Sequence, residues 1–94
     1  FSDEEKIRTK KALNEFKIYI LQTTNVTIEQ KKEVEDKLDY LIQAVDRLNK
    51  FDWKATATGT IIGLITSLSV DTNKGNELWN FFVSLLKHFP HLAS

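Results

Sequence analysis

Apolar residues recur along the chain at two different densities, and the change falls near Trp53. From Ser2 to Lys50 they come at helical spacing among charges. Ile7, Leu13, Phe16 and Ile20 fall near one face, widened by Ala12 and Leu21, and Val34, Leu38, Leu41, Val45 and Leu48 follow at intervals of four, three, four and three. The first set predicts an amphipathic helix. The second predicts another, with a narrow coiled-coil seam flanked by Tyr40 and Ile42. After Trp53 the density rises: every residue from Ala55 to Val70 is uncharged, and Leu78, Trp79, Phe81, Phe82, Val83, Leu85, Leu86 and Phe89 wrap nearly the whole of a last predicted helix.

Start and stop signals divide these runs into four helices. Ser2 with Glu5, and Thr27 with Gln30, have the spacing of a capping box, and Asp3, Glu4 and Glu5 place acid at the positive end of the first helix dipole. Between them Gln22-Thr23-Thr24-Asn25 reads as a short helix-to-helix connection. A pair of short strands within 17–28 is the lesser alternative, because no glycine marks a turn there. At Asn49-Lys50-Phe51-Asp52-Trp53-Lys54 the expected corner has Asp52 as the cap of the third helix, Trp53 in its first turn and Phe51 as a staple just outside. Asp71-Thr72-Asn73-Lys74-Gly75 reads as a reversal, with Asn73 or Asn76 capping the fourth helix, and Pro90 ends it. The reading is an all-α domain spanning 1–94, built as two hairpins. A charged amphipathic hairpin occupies 1–52 and an apolar hairpin 53–94, the whole bundle-like and open to completion by oligomerisation.

Charge sharpens the contrast between the halves. Residues 1–54 carry 11 acidic and 11 basic side chains, whereas 55–94 carry only Asp71, Lys74, Glu77 and Lys87. The formal net charge of zero removes the basic footprint of a nucleic-acid binder. Lys10, Lys11 and Lys17 are read as a solvated face. Without cysteine there is no disulfide, thiolate metal site or thiol nucleophile, and a cytoplasmic setting is the default. The chain begins with Phe1 and has no methionine, so a piece of a longer protein is expected. Ninety-four residues hold a modest core worth about 5 to 10 kcal/mol.

The third helix contains Thr56, Thr58, Thr60, Gly59 and Gly63, poor helix formers that need tertiary surroundings to hold them. Gly59 and Gly63, four apart beside Ala55, Thr56 and Thr60, make a face on which another backbone can come close. As a membrane span the run is short: 16 uncharged residues reach about 24 Å against a hydrocarbon core of about 30 Å, and six of them are Ser or Thr. Trp53 and Trp79 keep a lipid contact as the alternative to a buried helix.

No phosphate loop, nucleophile elbow or zinc-protease motif occurs. His88 and His91 lack companion ligands nearby, and the carboxylates lie on exposed helix faces where acid–base chemistry is not expected. Asn25-Val26-Thr27 matches a glycosylation acceptor without a secretory context. The runs Lys37-Leu38-Asp39-Tyr40-Leu41 and Arg47-Leu48-Asn49-Lys50-Phe51-Asp52-Trp53-Lys54, followed by a small-residue apolar helix, resemble a C-terminal helical module carried by varied, uncharacterised bacterial proteins. The likeness covers about the last two-thirds of the chain and implies no activity.

The expected role is therefore non-catalytic: a helical interaction or oligomerisation module. It would use Val34, Leu38, Leu41, Val45 and Leu48 with Trp53, Gly59, Ile62, Gly63, Trp79 and Phe82. A second copy or a partner protein is the expected occupant. No cofactor, metal or small-molecule substrate is expected, and membrane association or regulation of a larger protein are the alternatives.

Overall fold

The computed structural model describes residues 2–87 and contains four helices: α1 (Asp3–Thr23), α2 (Ile28–Arg47), α3 (Lys50–Ser67) and α4 (Thr72–Lys87). No strand occurs among the described residues, so the 17–28 segment is helix, connection and helix. The first two starts are as expected: Ser2 Oγ accepts from the Glu5 amide at 3.2 Å and Thr27 Oγ1 from the Gln30 amide at 3.1 Å, each with the reciprocal bond that completes a capping box.

The other two starts are displaced. Asn49, not Asp52, caps α3; its Oδ1 accepts from the Asp52 amide at 2.8 Å while its Nδ2 donates to Asp52 Oδ2 at 3.1 Å. An Asx side chain three residues upstream of another acceptor satisfies an exposed amide and is itself held in place, so the helix starts a turn earlier. This puts Leu48 and Trp53 at the two positions that form a hydrophobic staple, and leaves Phe51 inside the first turn, 81% exposed. Similarly Asp71, not Asn73 or Asn76, caps α4, its Oδ1 accepting from the Lys74 amide at 2.7 Å.

The helices form a ring in which α1 packs on α2, α2 on α3, α3 on α4 and α4 back on α1. Cross-helix pairs fix an antiparallel order. Lys10 and Lys17 of α1 meet Asp46 and Asp39 of α2 at 2.8 and 3.2 Å, so those lysines are paired across the seam and not a free basic face. The Trp53 indole N–H donates to the Leu41 carbonyl at 3.0 Å, and Phe16 stands against Phe82 while Thr23 stands against Lys74. The apolar hairpin thus folds onto the charged one as the second half of a four-helix bundle.

The core runs through all four helices: Leu13, Phe16 and Ile20; Val34, Leu38, Leu41, Ala44 and Val45; Trp53, Ala57, Ile61, Leu64 and Leu68; Leu78 and Phe82. The accessible surface is 5757 Å², close to the about 5,600 Å² that mass scaling gives for a closed monomer of this size. The uncharged α3 is held in a helix by packing, since its buried stripe recurs every three to four residues from Trp53 to Leu64 although its threonines and glycines disfavour helix in water. Two buried hydroxyls, Thr9 Oγ1 and Thr24 Oγ1, have no hydrogen-bond partner.

Ion pairs staple the ends. Lys50 Nζ lies 2.7 Å from Glu5 Oε2, joining the first turns of α3 and α1. That contact, with the Ser2 amide, holds the Glu5 carboxyl at about 2 instead of 4.5; Lys10 lowers Asp46, and Lys74 then Tyr19 lower Glu77. Carboxylates depressed in the fold add stability that is complete above their ordinary range and disappears as pH falls through the folded values. The midpoint of thermal unfolding, followed by circular dichroism, is therefore expected to fall between about pH 4.5 and 2, and Lys50→Met to shrink the part of that loss nearest pH 2. At the other extreme, burial and the neighbouring Glu77 raise Tyr19, so its contribution is intact below pH 10.0 and is lost above it.

Candidate interaction surface

The expected contact residues divide sharply. Val34, Leu38, Leu41, Val45, Trp53 and Phe82 are buried in the chain's own bundle, and Leu48 and Trp79 are half-buried against it. They are core, so the α2 seam is filled by the molecule's own helices. Gly59, Ile62 and Gly63 lie on the outside of α3, Ile62 being 52% exposed. A Cβ placed on Gly59 or Gly63 would meet nothing within 4 Å, so among the described residues no helix uses the close approach those glycines permit.

The outer positions of α3 form a strip. At 100° per residue, Phe51, Ala55, Ile62 and Thr66 fall within about 60° of one another, with Gly59 and Gly63 beside them. No charged residue lies between Ala55 and Ser69, whereas the exposed positions of α1 and α2 are dominated by Lys, Arg, Glu and Asp. At its C-terminal end the strip runs into a groove of about 460 Å³ between α3 and α4, lined among others by Ile62, Ile65, Val70, Gly75, Asn76 and Trp79. The groove floor turns at Ser69, which takes a left-handed φ of 53° just after the Leu68 cap. A non-glycine residue there costs about 1 kcal/mol of backbone strain, held in place by the packed helix ends.

The sequence places Phe51 as a staple just outside the helix; its exposure follows from an α3 cap at Asn49 instead of Asp52. The Asn-x-x-Asp spacing is the signal that would have found it. A second groove, of about 550 Å³, lies along α2 beside Thr60, but its walls are Glu29, Lys32, Glu33, Asp36, Lys37 and Tyr40, a mixed-sign solvated face. Among the described residues no group of three His, Cys, Asp or Glu side chains is placed to hold a metal, and no helix is long and apolar enough to cross a membrane. His88, His91, Phe89 and Pro90 lie outside the described residues.

No family model, curated protein or solved structure matches the chain.

Proposed function

We propose that this chain is a non-catalytic helical interaction module whose contact surface is the outer strip of α3 and the groove that continues it. The observation that carries the reading is the exposure of Ile62 on the uncharged 55–69 face of α3 in an otherwise charged, closed bundle, with Phe51, also exposed, in the first turn of the same helix. Uncharged exposed strips of this kind are where proteins exclude water with one another, and the core residues behind it keep the surface rigid.

Two measurements test it. A photo-reactive amino acid at position 62 is expected to cross-link protein in the cells that make the chain, while the same probe at Asp36, on the exposed face of α2, does so far less. Equal yields at the two positions would sink the reading. Gly63→Leu is expected to abolish association while retaining helix content, because its side chain enters open space in the monomer and glycine in a helix interior costs about 1 kcal/mol relative to better helix formers. Its melting temperature should therefore rise by several degrees, about 4–8 °C per kcal/mol for a domain of this size. Association unchanged by the leucine would exclude Gly63 from the contact.

A further inference from the structure

We infer that α4 is exchangeable between copies: two chains swap their last helices, each α4 docking on the α1–α3 frame of the other while the turn at Ser69 opens and α3 runs on into α4. The faces involved are those α4 already uses inside the bundle, so exchange is independent of the outer strip of α3. The hinge is the first reason. Four residues, Leu68 to Asp71, join α3 to α4, and among them Ser69 holds a φ of 53°, a left-handed conformation that strains any residue carrying a Cβ. No proline stands between Ser67 and Thr72, so a helix is free to run through the segment, and opening the turn releases the strain.

The way α4 is held is the second reason. Among the described residues it packs on α3 and α1 but not on α2, and its side-chain hydrogen bonds to α1 lie in one cluster, Lys74 Nζ to Thr23 Oγ1 at 2.8 Å and Tyr19 to Glu77. Without α4, the other three helices stay joined by the lysine–aspartate pairs between α1 and α2, the Lys50–Glu5 pair and the Trp53 hydrogen bond. Release bares Phe16 on the frame and Leu78 and Phe82 on α4, so a freed α4 recovers its burial on a frame of the same shape, which a second copy supplies. The symmetry closes. With α3 and α4 end to end in one helix, a twofold axis across the hinge sets two such helices antiparallel and puts each α4 beside the other copy's α3 in the sense that the monomer has. Because every contact of α4 is kept, monomer and dimer differ at the hinge and in the effective concentration of a tethered α4, on the order of millimolar for a short linker.

The test loosens α4 and then asks whose frame it returns to. Chain held at about 1 mM in urea just below the unfolding transition and returned to buffer is expected to contain a dimer, measured by light scattering on a size-exclusion column. Ser69 is exposed, so changes there leave the core alone. Ser69→Ala keeps the strain of the turn and favours helix, and is expected to raise the dimerisation constant. Ser69→Gly fits the left-handed turn and disfavours a continuous helix, and is expected to lower that constant about tenfold or more. In a dimer mixed from carbon-13-labelled and unlabelled chains, nuclear Overhauser contacts between Tyr19 and Phe81, whose rings stack at 4.4 Å, are expected to run from one chain to the other. A monomer throughout, for the unmodified chain and Ser69→Ala alike, overturns the inference. So does a dimer in which those contacts stay within each chain; if Gly63→Leu abolishes that dimer, it belongs to the outer strip of α3, and the interaction reading stands while exchange falls.

Discussion

Trp53→Ala is expected to lower the unfolding free energy by about 3–5 kcal/mol, a large share of what a domain of this size possesses. The indole is 1% exposed at the second turn of α3, where it fills the space between α2 and α3 and its N–H reaches the Leu41 carbonyl at 3.0 Å. Truncation removes the buried area, opens a cavity and deletes the hydrogen bond that fixes how deeply α3 sits against α2. Urea denaturation followed by circular dichroism measures the loss. Trp53→Phe serves as the partial control: it keeps most of the apolar volume and loses the N–H, so it should fall well short of the alanine effect. Equal costs for the two would mean that the hydrogen bond, not volume, governs the position.

Phe16→Ala should be comparably damaging, about 3–5 kcal/mol, through a different contact. Its ring is fully buried and lies 5.5 Å from Phe81 with the planes 12° apart and 5.9 Å from Phe82. Tyr19 stacks on Phe81 in turn at 4.4 Å, and Lys74 stands over the Tyr19 ring at 5.2 Å. Aromatic pairs of this kind add about 0.5–1.5 kcal/mol beyond burial, so a double-mutant cycle between Phe16 and Phe81 should return a coupling of that size. Phe16→Leu should cost clearly less than Phe16→Ala if packing volume is the main term, and additive single effects at Phe16 and Phe81 would show that stacking adds nothing.

Much of this architecture was legible in the residues because local rules and burial agree. The two capping boxes at Ser2 and Thr27 place α1 and α2, and the four-three spacing from Val34 to Leu48 marks the buried face of α2. The starts of α3 and α4 were less legible because several Asn and Asp residues compete there. Asn49 and Asp71 prevail, each being the acceptor placed to satisfy an amide three residues on. That shift of one turn exchanges the roles of Phe51 and Trp53: the second is core and the first is surface. Periodicity also identified the Gly59 and Gly63 face without saying whether a helix of the same chain covers it, because spacing reports which residues share a face and not what lies opposite. The aromatic contacts between α1 and α4 were hidden for the same reason, being set by residues more than 60 positions apart.

Those contacts give the ring an unequal assembly order. Three of its four helix pairings join consecutive helices across connections of two to four residues, so they form with little loss of loop entropy and favour folding in microseconds to milliseconds. The pairing of α1 with α4 alone must close a loop that includes two whole helices, and it is held by a stack of rings and a single lysine. The α1/α4 pairing therefore carries the largest loop-closure cost of the four, and the aromatic seam is what offsets it.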